Sequence, residues 1–368
     1  MSLQYVLLPI ILCIVAGFIN GSYVTPSKWM KGWNDEVVWL SYTLFGFILL
    51  PVLSVFALDP EIFTQISQVP RHYIELVLVG GVLWGISQLF FVLALKRTGL
   101  AVSFVVNISM GTAGGALLPL LWNQSLLGTK YAYLQLLGAV IFVVAVITTI
   151  LAGEARRACQ ETHQENSQAN SSVLYMILGV FFAILSGLGS IIQGNSYTYA
   201  NPTLSHAAIE NGATLLPANT IAFTLIFVGA FLPNVIYFAC LAYRRKSLSS
   251  LLQKGAATNW FYALLMGVGA WGSVLLFCQA QALIGGALAP TIAWPLFMIF
   301  IVLTANFWSF VHGEWKGAGA KAKKLITSSL VLFIAAVIVF GVNSINKPDQ
   351  HAVVAKTSSA GQVTQQTS

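Results

Sequence analysis

One stretch of the sequence, residues 80–119, constrains the fold more than any other. Two long apolar runs flank the short polar segment Lys96-Arg97-Thr98-Gly99. A helix needs about 20 apolar residues to cross a bilayer, and each run is long enough to do so. Because the segment between the runs is short, the sequence predicts an antiparallel pair of helices that crosses a membrane twice.

The composition excludes a soluble domain. Charged residues make up 8% of the chain, against about 25% for a soluble globular protein, and the mean hydropathy is +0.80. The formal net charge of +7 does not indicate a nucleic-acid partner, because the cations lie in short loops where they set membrane topology. The sequence is typical of a multi-pass protein of the lipid bilayer.

The apolar runs predict an all-α integral membrane protein with ten transmembrane helices. The spans lie at about residues 3–25, 37–58, 75–95, 100–121, 131–152, 173–193, 212–243, 259–283, 287–311 and 325–345. Two polar, Gln/Ser-rich segments lie outside the membrane. The predicted divisions are a first five-helix repeat at 1–153, a polar cytoplasmic linker at 154–172, a second five-helix repeat at 173–345 and a disordered C-terminal tail at 346–368.

Two halves of five spans would be inverted relative to each other. An odd number of crossings makes the second copy enter the membrane from the opposite side, and inverted repeats are common in transporters. One alignment supports the duplication: Gly80, Trp84, Gly85 and Gly99 match Gly267, Trp271, Gly272 and Gly286, 187 positions later. A recurrence at a fixed separation is the expected mark of an internal repeat.

The placement of Lys and Arg predicts the orientation. With ten spans, one face carries Lys28, Lys31, Lys96, Arg97, Arg156, Arg157, Arg244, Arg245, Lys246, Lys254, Lys316, Lys321, Lys323 and Lys324. The other face carries Arg71, Lys130, Lys347 and Lys356. Positive charge favours the cytoplasmic side, so both termini are predicted outside the cytoplasm.

Uncharged polar and aromatic residues within the spans are the candidate substrate contacts. A polyhydroxylated solute would need amide donors and acceptors, with aromatic walls for its ring faces. The predicted substrate-binding residues are Asn20, Trp84, Gln88, Asn107, Gln279 and Trp294. The alternative for each amide is a hydrogen bond between helices that only holds the bundle together.

One acidic residue is a candidate for proton coupling. Glu210 lies four residues after His206, so the two would share one face of a helix. A partly buried Glu beside a His can titrate near neutral pH. The alternative is a polar external surface with no coupling role. The four cysteines form no CxxC or Cys/His cluster, so the sequence predicts neither a metal site nor a cofactor.

Four sequence motifs resemble the L-rhamnose–proton symporter family, a branch of the drug/metabolite transporter superfamily. They are the run 25–33 (TPSKWMKGW) followed by Glu36 and Trp39, the pair Trp84-Gly85 with Lys96-Arg97-Thr98-Gly99-Leu100, Trp294, and Glu314-Trp315-Lys316-Gly317-Ala318-Gly319. The similarity runs in order over residues 5–345. It implies ten helices, a bacterial inner-membrane location and import of a sugar driven by a proton gradient.

The leading interpretation is a secondary carrier for a sugar or similar small polar metabolite, coupled to protons, and not an enzyme. The substrate itself is not fixed by the resemblance, because 86–91, 277–281 and 289–293 depart from the family pattern. The alternatives are an exporter of the same superfamily or an integral membrane transferase. A transferase would need acids or histidines that converge at one place, and the sequence shows no such clustering.

Overall fold

The computed structural model describes residues 3–122, 126–162, 169–284 and 288–344, and it is all-helical over these ranges. The helices are α1 (Leu3–Ser22), α2 (Asp35–Thr43), α3 (Leu50–Leu58), α4 (Ile62–Gln65), α5 (Arg71–Trp122), α6 (Lys130–Thr162), α7 (Ala169–Glu210), α8 (Leu215–Arg244), α9 (Ala256–Ile284), α10 (Leu288–Val311) and α11 (Ala320–Ser344). The predicted fold class of an all-α membrane protein is confirmed.

Nine helical segments of the described chain are long and apolar enough to cross a membrane. The third of these, within α5, is interrupted at Gly99, whose φ of 80° and ψ of 178° are not helical. In an unbroken helix Phe91 and Phe104 would lie about 20 Å apart, yet their ring centroids are 5.1 Å apart. The chain therefore reverses direction at Gly99, as the predicted hairpin requires.

The count of ten crossings and the inverted repeat stay predictions. The reversal at Gly99 supports the count, since it divides one apolar segment of 44 residues into two. The linker predicted at 154–172 also stays a prediction. Helix α6 continues to Thr162 and α7 begins at Ala169, and Arg156 and Gln160 of α6 donate to the Thr98 and Glu314 carbonyls. Residues 163–168 and the predicted tail at 346–368 lie outside the described residues.

Glycines allow α5 and α8 to pack backbone against backbone. A Cβ atom at Gly81 would overlap the Ile226 carbonyl group, and one at Gly85 would lie 2.6 Å from the Cα atom of Ala230. Small residues at such positions let membrane helices approach closely. The contact fixes the face of α5 that carries Trp84.

Ion pairs gather at one end of the helix bundle. Lys28 contacts Glu314 there, and Lys96 contacts Asp35. Arg245 contacts Glu36. We call this end, formed by the loops at 23–34, 96–100, 245–255 and 312–319, the basic end. Its cations belong to the face that the sequence predicts to be cytoplasmic.

Candidate functional site

Five aromatic side chains form a cluster in the middle of the bundle. The central aromatic cluster consists of Tyr42, Phe47, Trp84, Phe227 and Trp271, all of them buried. The ring centroid of Phe227 lies 5.1 Å from that of Trp84 and 5.2 Å from that of Trp271. Trp84 and Trp271, which align between the predicted halves, therefore both pack against Phe227.

A π-helical turn delivers Phe47 to this cluster. Residues Leu44–Leu49 form a π-helix between α2 and α3, and the Phe47 ring lies 5.4 Å from the ring of Tyr42 and 5.6 Å from that of Trp84. Gly46 lets the Tyr42 ring approach this turn closely, since a Cβ atom there would lie 2.9 Å from that ring. Such π-turns are rare and frequently occur at functional sites.

The two central tryptophans differ in their hydrogen bonding. The indole N–H of Trp271 donates to the hydroxyl of Ser54 at 2.7 Å. The indole N–H of Trp84 has no hydrogen-bond partner among the residues that the structure describes. Trp84 therefore keeps a donor available within an aromatic wall, which is the combination that a polar ring-shaped solute needs.

Gln88 lies one helical turn after Trp84, on the same face of α5. It is half-buried, and its amide makes no hydrogen bond within the described part of the chain. The structure thus brings two predicted substrate contacts together, and both keep hydrogen-bonding atoms that the bundle does not use.

Asn20 and Asn107 form hydrogen bonds to neighbouring helices. Asn20 donates from Nδ2 to the hydroxyl of Ser273 on α9 at 2.8 Å. Asn107 donates to the hydroxyl of Ser186 on α7 and accepts from Ser190 at 3.3 Å. Both amides therefore connect helices, as the alternative for these residues describes.

The structure does not bring Gln279 and Trp294 to the central aromatic cluster. Gln279 shares the face of α9 that carries the exposed residues Val268 and Leu283. Gln281, two residues later, lies on the opposite face of α9 and accepts a hydrogen bond from the hydroxyl of Tyr197 at 3.2 Å. Trp294 packs elsewhere, with its ring centroid 5.6 Å from that of Phe277.

The predicted His206–Glu210 contact exists, at 3.1 Å between Nδ1 and Oε2. The two side chains are 74% and 66% exposed, so the burial on which the coupling role depended is missing. This geometry favours the alternative, a polar surface pair.

Glu314 organises the basic end. Its carboxylate accepts from the backbone N–H of Leu100 at 3.0 Å, from the Ser309 hydroxyl at 2.8 Å and from Nζ of Lys28 at 2.9 Å. Nη1 of Arg156 lies 3.8 Å away. The loop before α11 is thereby joined to the tip of the α5 hairpin and to the loop after α1.

Gly99 is required at this contact for two reasons. Its φ of 80° lies in the region that favours glycine, and a Cβ atom there would overlap the Glu314 carboxylate. Arg156 supports the tip from the other side, since Nη2 donates to the Thr98 carbonyl at 3.1 Å and the guanidinium lies 5.0 Å from the Trp315 ring centre.

Glu36 forms a second carboxylate contact at this end, and it is more deeply buried than Glu314. Its side chain is 1% exposed and accepts from Nη1 of Arg245 at 3.0 Å and from the Ser247 hydroxyl at 2.9 Å. Glu36 belongs to the first predicted half and its donors to the second, whereas Glu314 belongs to the second and its main donors to the first. The two carboxylates therefore tie the predicted halves together reciprocally.

Sequence reasoning missed several residues of the centre. Tyr42, Phe47, Phe227 and Ser54 carried no motif, because aromatic and small polar residues are common in apolar spans. The one available signal was the pair of aligned tryptophans. Among the described residues, no group of three or more His, Cys, Asp or Glu could hold a metal.

Comparison with known proteins decides the family. The family model described as L-rhamnose-proton symport protein (RhaT) matches residues 2–344. The chain belongs to this family. The match confirms the resemblance seen in the motifs. Because the family consists of transporters rather than enzymes, it also confirms the prediction that the chain is not an enzyme. The chain is a multi-pass membrane protein of that family.

Curated relatives carry a similar name and match along most of their length. The L-rhamnose-proton symporter of Citrobacter koseri is 23% identical over 327 residues, which cover 87% of this chain and 92% of the relative. That of Mannheimia succiniciproducens is 23% identical over 334 residues, with 88% and 94% covered. The Escherichia coli protein of the same name is 22% identical over 332 residues, with 88% and 94% covered.

Proposed function

We propose that this chain is a secondary carrier that imports a neutral, sugar-like solute together with a proton across the bacterial inner membrane. Membership of a symporter family supports the proton coupling. The observation that carries the proposal is the pairing of Trp84 and Gln88 beside the central aromatic cluster. An aromatic wall with unused amide and indole groups matches the needs of a hydroxylated ring.

The solute would lie against the Trp84 indole, with its apolar ring face toward Phe227 and its hydroxyls toward Gln88. Membrane transporters often place the substrate near the middle of the bilayer, between two repeats. None of the five side chains of the central aromatic cluster carries a charge at neutral pH, so an uncharged solute is favoured over a cation or an anion.

The basic end would face the cytoplasm, because Lys and Arg favour that side. There Glu36 and Glu314 tie the two predicted halves together. Alternate access by rocking of the halves would require both contacts to open before the solute can leave toward the cytoplasm. Ten crossings and termini outside the cytoplasm are part of this proposal, and tagged termini in intact cells test the orientation.

Uptake by purified protein in liposomes tests the function. A panel of labelled neutral sugars would be offered with and without an inward proton gradient. We expect at least one sugar to accumulate only with the gradient, and Gln88→Ala to weaken its uptake. Gln279→Ala is the matched control, since it removes another half-buried amide, one that the structure does not bring to the central aromatic cluster. A panel in which no sugar responds to the gradient would refute symport.

An exporter of amphipathic compounds is the second candidate. The observation that favours it is the aromatic character of the centre, where few polar atoms are available. The same liposomes distinguish the two functions. An exporter would move an amphipathic dye in the direction opposite to the flow of protons. Such movement, with no sugar responding to the gradient, would establish export.

A further inference from the structure

A recess at the basic end is separate from the central aromatic cluster. It encloses about 360 Å³ between the loop after α1 and the start of α9. The lining residues that matter here are Trp29, Lys31, Trp33, Lys254, Thr258 and Tyr262. The proposed transport function makes no use of it.

The recess contains positive charge without a counter-ion. Elsewhere at the basic end, Lys28, Lys96 and Arg245 each contact a carboxylate. Lys31 and Lys254 form no ion pair within the described chain, and no acidic residue lines the recess. Lys246 and Lys316 at the basic end also form no ion pair within the described chain, but neither of them lines the recess.

The walls of the recess are fixed while its donors stay unused. Asn259 accepts from the Lys31 backbone N–H at 3.3 Å and donates to its carbonyl at 2.8 Å. Trp33 donates to the Ser250 carbonyl at 2.9 Å. By contrast, the Trp29 indole N–H and the Tyr262 hydroxyl have no partner among the described residues, although their rings lie 5.8 Å apart.

We propose that this recess binds the phosphate group of an organic phosphate. Two unpaired lysines, two unused neutral donors and the first turn of the long helix α9 all favour a compact anion. The aromatic rings would pack on the organic part next to the phosphate. No acidic residue lines the recess, so no carboxylate of the protein competes with an anion for the two lysines.

The position of the recess favours a phospholipid headgroup as the source. Aromatic side chains such as Trp29 and Tyr262 are typical of the membrane–water interface. The adjoining turn Leu248–Leu252 ends in Leu252, which is 91% exposed, as expected of a side chain that enters the headgroup layer. Basic pockets between helices on the cytoplasmic side are suited to anionic lipid headgroups. A soluble sugar phosphate carries the same chemistry and is the other source to test.

Thermal unfolding of the purified full chain in detergent tests the proposal. The probes are short-chain phosphatidylglycerol, short-chain phosphatidylcholine, glycerol 3-phosphate and inorganic phosphate. Ligand binding raises the Tm by mass action, so phosphatidylglycerol should raise it and phosphatidylcholine should not. A Tm increase from glycerol 3-phosphate at equal concentration would keep the phosphate site and assign it to a soluble ligand.

Paired substitutions locate the effect. Each lysine near an anionic surface contributes about 1 kcal/mol, so Lys31→Gln with Lys254→Gln should weaken phosphatidylglycerol binding about 30-fold. Lys321→Gln with Lys324→Gln removes the same charge from the same end and should leave binding unchanged. The exposed single change Lys254→Gln is the fallback if the double variant does not fold. Equal losses in both variants, or equal Tm increases from both lipids, would overturn the proposal.

Discussion

The two carboxylates of the basic end differ in their hydrogen bonding from Trp84 and Gln88 in the centre of the bundle. At the basic end, the Glu314 carboxylate accepts three close hydrogen bonds and Glu36 accepts two. In the centre, the Trp84 indole N–H and the Gln88 amide have no partner in the described ranges. The difference suggests that the end holds the molecule together and the centre binds the solute.

The largest expected effect is on stability, from Glu314→Ala at the basic end. The change would leave the Leu100 N–H and Lys28 without their acceptor. Allowing for the partial exposure of Lys28, we expect the free energy of unfolding to fall by about 2–4 kcal/mol. The measurement is the Tm of the purified protein in detergent.

Two controls separate the contacts of Glu314. Lys28→Gln removes only the half-exposed cation and should cost about 0–1 kcal/mol. Glu314→Gln keeps an oxygen for Leu100 and should fall between the two. If Glu314→Ala changed the KM for the solute and left the Tm unaltered, the assignment of roles to the two regions would be reversed.

The next effect is on transport, from Gln88→Ala in the centre. Loss of one or two hydrogen bonds to the solute costs about 1–3 kcal/mol, so we expect the KM for uptake to rise about 10- to 100-fold. The Tm should change little, because the amide has no partner in the described structure. Kinetics of labelled-sugar uptake in liposomes measure the effect, with Gln279→Ala alongside. Similar KM values for the two variants would contradict the site.

Trp84→Phe is expected to have a smaller effect on the same function. It keeps an aromatic ring against Phe47 and Phe227 and removes the indole N–H. The loss of one donor is worth about 1 kcal/mol, or roughly a fivefold rise in KM. Trp271→Phe is the matched variant. Its N–H serves Ser54, so the change should lower the Tm and leave the KM unchanged.

Much of the fold could be predicted from the sequence because hydropathy reports directly on membrane spans. The reversal at Gly99 followed from three polar residues and a glycine between apolar runs. The π-turn at Leu44–Leu49 could not be predicted, since one extra residue per turn leaves no trace in composition. The different surroundings of Gln279 and Gln281 could not be predicted either. Residues two positions apart face opposite sides of a helix, and only the neighbouring helices decide which side is buried.

The contacts of Glu314 were also beyond sequence reasoning. The motif Glu314-Trp315 was recognisable, but its partners Lys28 and Leu100 lie more than two hundred positions away. Pairing over such distances depends on how the spans are arranged, and a single sequence does not encode that arrangement in any local pattern.

The smallest expected effect is a pH dependence from His312 at the basic end. Burial and the nearby Lys28 lower the pKa of His312 from its usual value, and Glu314 opposes them. Its Nε2 atom is buried without a hydrogen-bond partner in the described chain. Because the pKa is lower in the folded protein, the unfolded chain binds more protons, and the free energy of unfolding falls as the pH drops below about 6.5.

His312→Gln removes this contribution, so its Tm should decrease less than that of the native protein between pH 7 and pH 5.5. The comparison of the two curves matters more than either slope, since carboxylates such as Glu36 and Glu314 contribute to both. Parallel curves would contradict the role of His312. If the variant instead changed the pH profile of uptake at constant Tm, the basic end would take part in coupling, and the division of roles between the two regions would no longer hold.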